Sequence, residues 1–265
     1  MSPGSFLAGL GWDSDSSKTA VCCATVTSRA SRQGCYKPAM QLVIFDCDGT
    51  IADSQHMIVA AMEEAFRVAG LATPPREAVV QVIGQSLEHA VRELLPETMH
   101  ARAGDIAEDY KNAFHGLRAA GLPQEPLFPG LKAAITYLHG RGTLLGIATG
   151  KSRRGVGLLL GREGLADAFA TVQTADTHPT KPHPSMIEAA MAETGATAGE
   201  TLMIGDTTFD MAMARNAGVR AIGVAWGYHP LAALREAGAD VIVEDAAAML
   251  SEIARHAATI NETTS

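Results

Sequence analysis

The sequence predicts an α/β protein: a doubly wound parallel sheet with a small all-helical domain inserted after its first strand. Three observations predict it. Short apolar runs bounded by turn residues recur along the chain, and runs of that length read as fully buried strands. Helical stretches separate most of them, and strand alternating with helix implies a parallel sheet. The alternation breaks once, over residues 55–126, where apolar residues recur at helical spacing and no strand is convincing.

In chain order, the expected strands are Leu42–Phe45, Leu144–Ala148, Phe169–Val172, Leu202–Ile204, Ala221–Val224 and Val241–Val243. The expected helices between and after them are Gly130–His139, Arg153–Glu163, Pro184–Glu193, Asp210–Ala217, Leu231–Ala237 and Ala246–His256. Gly195, Gly218 and Gly238 each follow such a stretch, where glycine ends helices by adopting a left-handed backbone. The insertion carries helical spacing in "HMIVAAMEEAFRVAG", in "SLEHAVRELLP" and from Ala101 to Ala120. "QEPLFPG", Gln124 to Gly130, reads as the return linker, stiffened by Pro126 and Pro129. The expected organisation is thus a core of residues 40–54 and 127–265, a helical domain of residues 55–126, and a tail of residues 1–39.

That tail is rich in Ser, Thr, Gly and Ala and has no sustained period. It reads as flexible, or as a translation-start artefact with Met40 the natural start. It lacks the basic start and apolar block of a secretory signal, and Asp13 and Asp15 interrupt any organelle transit pattern. Four cysteines, Cys22, Cys23, Cys35 and Cys47, show no zinc-ribbon spacing. A disulfide scaffold does not suit so long a chain, so a reducing cytoplasm is expected. With 265 residues, 47% of them hydrophobic, the chain can bury one large core, or a core and a smaller one. No apolar run approaches the ~18 residues needed to cross a bilayer. The formal net charge of −8 argues against a nucleic-acid partner, which needs a basic face. It does not argue against a small anionic substrate, because a pocket can be locally positive.

In an open parallel sheet, ligands bind beyond the carboxyl ends of the strands. The first strand ends in "DCDGT", the second in "IATGK" and the fourth in "IGDTTFD". Between the third and fourth lies "THPTKPHP", with Lys181 between prolines. Asp46, Asp48, Asp206, Asp210, Thr149 and Lys181 therefore gather at one edge. Each has a plainer reading. Asp48-Gly49 is a common turn, Thr149 or Ser152 can cap a helix, Asp210 can cap the next one, and Lys181 can be a solvated loop charge. Jointly the plain readings are strained, since four carboxylates at one rim repel unless a cation sits among them. Mg2+ is the natural cofactor for carboxylate and carbonyl oxygens. The same rim then attracts a phosphate. One carboxylate can attack phosphorus, and a second can protonate the leaving oxygen and later activate water. Asp46 and Asp48 need not touch if side chains at the strand end point in alternating directions.

"DCDGT", the Thr of "ATGK", the Lys of "TKPHP" and the acids of "GDTTFD" resemble, in order, the four motifs of the haloacid dehalogenase superfamily. The resemblance runs from Gln41 to the C-terminal region. The helical insertion after the first motif looks like that family's C1-type cap over a Rossmann-like core, and within the family the chain most resembles the phosphoglycolate phosphatase branch. The resemblance implies a nucleophile and Mg2+ ligand at Asp46 and a general acid/base at Asp48, whose backbone carbonyl also meets the metal. It implies phosphoryl contacts from Thr149 and Gly150 and charge neutralisation by Lys181. Asp206 would bind Mg2+ directly, and Asp210 would bind it or orient its waters. An acid at position 48 favours phosphoryl transfer, because carbon–halogen cleavage needs no protonated leaving oxygen. Cys47 reads as a small spacer.

Specificity is expected from the insertion, where Gly84, Gln85 and Ser86 of "VIGQSLEHAV" form a loop facing the site, or else an ordinary helix start with Ser86 as its cap. Arg76, Arg92 and Arg102 read as solvated helix charges. The expected activity is a Mg2+-dependent phosphatase of small phosphomonoesters, with phosphoglycolate leading. A sugar-phosphate mutase and a pyrophosphatase of the same superfamily are the alternatives, and a non-catalytic binding protein comes last. "WGYH", Trp226 to His229, reads as a loop with a packed tryptophan in preference to a site element or a homo-oligomer contact. His178 and His183, beside Lys181, read as bystanders.

Overall fold

A computed structural model describes residues 41–121 and 125–263 of the chain. The expected tail of residues 1–39 and Gln124 of the linker lie outside the described residues. Six strands form one parallel sheet: β1 (Leu42–Phe45), β2 (Leu144–Thr149), β3 (Thr171–Thr174), β4 (Thr201–Gly205), β5 (Arg220–Val224) and β6 (Val241–Val243). Their order across the sheet is β3-β2-β1-β4-β5-β6, and every pairing is parallel. Topology reverses between β1 and β4, where chain ends diverge and leave a crevice. "DCDGT" and "GDTTFD" open onto that crevice from adjacent strands.

Four insertion helices follow β1: α1 (Gln55–Val68), α2 (Arg76–Gln81), α3 (Leu87–Leu94) and, after a 3₁₀ turn at Glu97–Arg102, α4 (Ala103–Ala119). The crossovers are α5 (Leu131–Gly140), α6 (Arg153–Glu163), α7 (Ser185–Thr194), α8 (Thr208–Asn216) and α9 (Leu231–Ala237), with α10 (Ala246–Thr263) at the end. No helix among the described residues is long and apolar enough to cross a membrane.

β1 shows why its four residues are all apolar. Val43 and Phe45 enter a core built with α5, α6 and α10, while Leu42 and Ile44 enter a second core with α7, α8 and α9. A strand covered by helices on both faces must be apolar on both. A third cluster lies within the insertion and includes Val59, Met62, Phe66, Val79, Val91 and Ile106. Gly195, Gly218 and Gly238 all adopt positive φ behind their helices, as expected.

β3 departs from its expected span of Phe169–Val172. Phe169 is apolar because its ring packs edge-on against Phe45, at 6.4 Å between centroids, and not because it pairs with a neighbour. Pairing begins at Thr171, and polar residues there are buried: Thr171 Oγ1 donates to Glu193 at 2.5 Å and Gln173 donates to Thr171 at 2.8 Å, while the Thr174 hydroxyl has no partner. The helix after β4 also begins earlier than Asp210, at Thr208.

Candidate active site

Beyond Phe45 the chain leaves the strand but keeps one tie, Asp46 N–H to Ile204 of β4 at 2.9 Å. A tight turn follows, in which the Ile51 and Ala52 N–H groups both donate to the Cys47 carbonyl. Gly49 sits at φ +86, and a Cβ there would lie 2.2 Å from Asp206 Oδ2. Only glycine meets both demands. This turn, and not strand alternation, separates the two acids, since residues two apart on a strand share a face. Asp46 and Asp48 meet different lysines.

Asp46 is fully buried. Lys181 Nζ lies 2.9 Å from its Oδ1 in ion-pair contact, and neither oxygen of Asp46 has a hydrogen-bond partner. Lys181 also donates to Asp210 Oδ1 at 2.6 Å. Asp210 Oδ2 accepts from the Thr207 N–H at 3.0 Å and its hydroxyl at 2.7 Å. Thr207, rather than Asp210, is the N-cap of α8, and Asp210 completes the capping box. Asp206 Oδ1 accepts from Thr50 at 2.8 Å and its Oδ2 from the Tyr228 N–H at 2.9 Å.

Asp46, Asp206 and Asp210 each offer an oxygen, and these lie within 4.8 Å of one another. Burial raises Asp46 to about 7, with Lys181 opposing and Asp210 adding to the rise. Burial, Asp210 and Asp46 push Asp206 well above the usual carboxylate range. Burial disfavours the Lys181 cation, but Asp210 and Asp46 outweigh it and hold that pKa above the ordinary lysine value. Lys181 thus pairs with two of the three buried acids, Asp46 and Asp210. Two unpartnered oxygens on Asp46 and a set of hard oxygen donors fit a divalent cation such as Mg2+.

Asp48 faces the other way. Its Oδ1 accepts from Ser54 Oγ at 2.5 Å and from Lys151 Nζ at 2.7 Å. Ser54 stands at the N-cap of α1 without capping it, its hydroxyl being committed to Asp48. Lys151 continues to Glu125 at 2.5 Å. Burial disfavours the Lys151 cation, and Asp48 and Glu125 more than offset this. Cys47, between the acids, is buried and free, and burial pushes its thiol well above its ordinary value, which suits a spacer and not a nucleophile.

Thr149 and Gly150 close the rim from β2. Ser152, and not Thr149, caps α6, accepting from Gly155 N–H at 3.2 Å. Asp48, Thr149, Gly150 and Lys151 line a cavity of about 540 Å3 whose opposite wall is the insertion. Gly84, Gln85 and Ser86 also line it. A Cβ on Gly150 would stand 2.2 Å from the Gln85 carbonyl, so the insertion loop rests directly on this turn. Ser86 occupies the N-cap position of α3, but its side chain caps nothing; its N–H donates to Thr180 Oγ1 at 2.8 Å, beside Lys181. Gln85 is buried, with Nε2 bonded to Glu93 at 3.0 Å and Oε1 without a partner. Ile58, Met62, Val82, Ile83 and Phe114 supply apolar wall.

Trp226–His229 is more than a packed loop. Trp226 does pack, against Phe128 and through Nε1–H to the Thr50 carbonyl at 3.1 Å. Tyr228 holds the site from both ends, its N–H on Asp206 and its hydroxyl accepting from the Ser54 N–H at 2.9 Å. His178 bonds Ser185 and Gln173 and does not line the cavity; nor does His183, which accepts from the Ser185 N–H. Arg76, Arg92 and Arg102 are exposed, and none lines the cavity. Sequence reasoning missed Lys151, Glu125, Thr50 and Tyr228. Lys151 stood in the quoted "ATGK" with no role assigned, and Glu125, in a proline-rich linker, carried no signal.

A family model of haloacid dehalogenase-like hydrolases matches residues 43–224. The chain belongs to that family. Among curated hydrolases, the "Probable phosphatase IndB" of Dickeya dadantii is 40% identical over 208 residues, covering 77% of this chain and 89% of the relative. A phosphoglycolate phosphatase of Agrobacterium fabrum is 30% identical over 216 residues, covering 80% of this chain and 92% of its own. The crystal structure of a hydrolase from Pseudomonas syringae superposes with a TM-score of 0.72 at 27% identity, covering 82% of this chain and 99% of the other. In this hydrolase the sheet order and helical layers agree with the fold expected from sequence.

Proposed function

We propose that the chain is a Mg2+-dependent phosphatase that hydrolyses small phosphomonoesters through an aspartyl-phosphate on Asp46, with phosphoglycolate the leading substrate. The observation that carries this reading is Asp46 itself. It is a fully buried carboxylate with no hydrogen-bond partner, in contact with a lysine and grouped with two further acids.

In this reading an Asp46 oxygen attacks phosphorus, and the bond from phosphorus to the leaving oxygen breaks. Thr149 and the Gly150 backbone hold the phosphoryl oxygens, and Lys181 offsets their charge. Asp48 gives its proton to the leaving oxygen, then takes one from the water that hydrolyses the aspartyl-phosphate. Mg2+, held by Asp46, Asp206 and the Asp48 backbone carbonyl, supplies the positive charge that lets a carboxylate approach a phosphate. Asp210, whose oxygens meet Lys181 and Thr207, would bind that ion or orient its waters. The insertion acts as a cap that excludes water, and Gly84, Gln85 and Ser86 meet the leaving group. Gln85 Oε1, an unused acceptor, suits a hydroxyl or N–H donor. The choice of phosphoglycolate leans on relatives that bear that name. A cytoplasmic location belongs to the same reading and leans on Cys47, which is unpaired.

Phosphate release over a panel of small phosphomonoesters, with and without Mg2+, tests activity and cofactor together. Release that needs Mg2+ and no sugar-bisphosphate primer is expected. Absence of release from every ester overturns the reading, and a primer requirement turns it into a mutase.

A further inference from the structure

Four alternating charges run from the insertion to the sheet rim. Arg118, near the end of α4, donates to Glu125. Glu125 Oε1 accepts from Lys151 Nζ at 2.5 Å, and Lys151 Nζ donates to Asp48 Oδ1 at 2.7 Å. Side-chain exposure is 23% at Arg118, 1% at Glu125, 8% at Lys151 and 11% at Asp48. Phe114 screens the row, its ring centroid lying 5.0 Å from the Arg118 guanidinium carbon and 5.7 Å from Lys151 Nζ. The Glu125 backbone is pinned as well, its carbonyl accepting from Arg162 of α6 at 2.5 Å.

Burying such a row costs desolvation at every member, and an apolar filling of the same shape would often be as stable. Stability is therefore a weak reason for it. Its geometry suggests a better one. Lys151 and Ser54 converge on the same oxygen of Asp48, and among the described residues nothing donates to Oδ2. Asp48 also lines the cavity. Two carboxylates already take two of the three N–H donors of Lys151.

We propose that Lys151, held in place by Glu125, is a positioning residue that orients the Asp48 carboxylate so that Oδ2 meets the leaving oxygen, and that Arg118 makes this placement depend on where α4 sits. The proposal rests on the reading of Asp48 as the acid/base. A general acid held out of line loses most of its contribution, typically about 10² to 10⁴-fold in rate. The loss falls only on substrates whose leaving oxygen needs a proton.

That dependence supplies the test. p-Nitrophenyl phosphate releases a stabilised anion and needs little proton transfer; an alkyl phosphate such as glycerol phosphate needs it fully. Lys151→Met is expected to lower kcat on the alkyl phosphate about 10²-fold, and on the nitrophenyl ester less than about threefold, with KM little changed. Glu125→Gln should show the same split in weaker form, and Lys151→Arg should recover part of the loss. If Lys151→Met does not fold, as judged by its melting transition, Glu125→Gln and Lys151→Arg carry the same comparison. Asp48→Asn is the reference. If it shows the split and the Lys151 and Glu125 variants lose equally on both esters, or lose nothing, Lys151 does not position Asp48. If Asp48→Asn shows no split, the acid/base reading fails and the proposal falls with it.

Discussion

The two walls of the cavity are built on opposite lines. On the sheet side the cavity is lined by Asp48, Thr149, Gly150 and Lys151, and the same rim holds the buried Asp46, Asp206 and Asp210, two of which pair with the buried Lys181. On the insertion side, Ile58, Met62, Val82, Ile83 and Phe114 offer apolar surface, interleaved with polar groups such as Gln85, Ser86, His115 and Arg118. Charged groups at close quarters tolerate little displacement, because each holds its neighbours' charge. An apolar wall tolerates trimming and reshaping at modest cost. In the proposed function, bond breaking belongs to the rim and choice of leaving group to the insertion. The Lys151–Glu125 row lies where the two meet.

The comparison breaks most sharply at Asp46. Asp46→Asn removes the attacking oxygen, and phosphate release should fall on the order of 10⁴-fold or more. A variant that keeps full phosphatase activity would remove the rim from the chemistry altogether.

Acidity is the next largest lever. Asp46 sits at about 7 against an ordinary 3.8, and Asp206 is raised in the same sense. Between those values the metal-free native state binds more protons than the unfolded chain, so its stability falls as pH rises through that window. A divalent cation competes with those protons. Mg2+ should therefore raise the melting temperature more at about pH 8 than at about pH 5, other groups being equal. Equal increments at both pH values would show that these acids do not hold the ion.

Gly150 tests the seam between the walls. Gly150→Ala puts a methyl group where the Gln85 carbonyl now rests, so the insertion loop must retreat. A displacement on the scale of an ångström near a reacting group costs up to about 10²-fold, and kcat/KM should fall within that range. Unchanged kinetics would mean that the loop does not need to close on this turn.

The smallest effect belongs to the insertion wall. Ile58→Ala should shift the ratio of kcat/KM between a bulky and a small phosphomonoester by about tenfold, the scale of a few methylene contacts. A loss common to all esters would place Ile58 with the chemistry instead of with selection.

The residues of the rim were legible because each motif ends a buried strand, and a strand end is where the chain can present an acid without breaking the sheet. Asp46, Asp48, Thr149, Asp206 and Asp210 stood out on that ground and Lys181 from the loop between the third and fourth strands, and the structure brings them to one end of the sheet. β3 was misplaced for a physical reason. Hydrophobic patterning reports burial, and Phe169 is buried by ring packing, whereas Thr171, Gln173 and Thr174 are buried while polar. Tyr228 was not legible because its loop reads as one with a packed tryptophan; its hold on Asp206 runs through a backbone N–H, which any residue type but proline would carry.

By itself the sequence determined the alternation of strand and helix, the single helical interruption and the acids at the strand ends. Those follow from local rules: buried strands need apolar runs, and clustered carboxylates need a cation. Only the tertiary structure decided which charge answers which. Asp46 and Asp48 are two residues apart yet take different lysines, one of them 103 residues away from its acid. Glu125 and Lys151 are separated by 26 residues and meet in the interior. A charged side chain carries no record of its partner in its own neighbourhood of sequence; the partner is chosen when the insertion folds back over the sheet and water is excluded from between them.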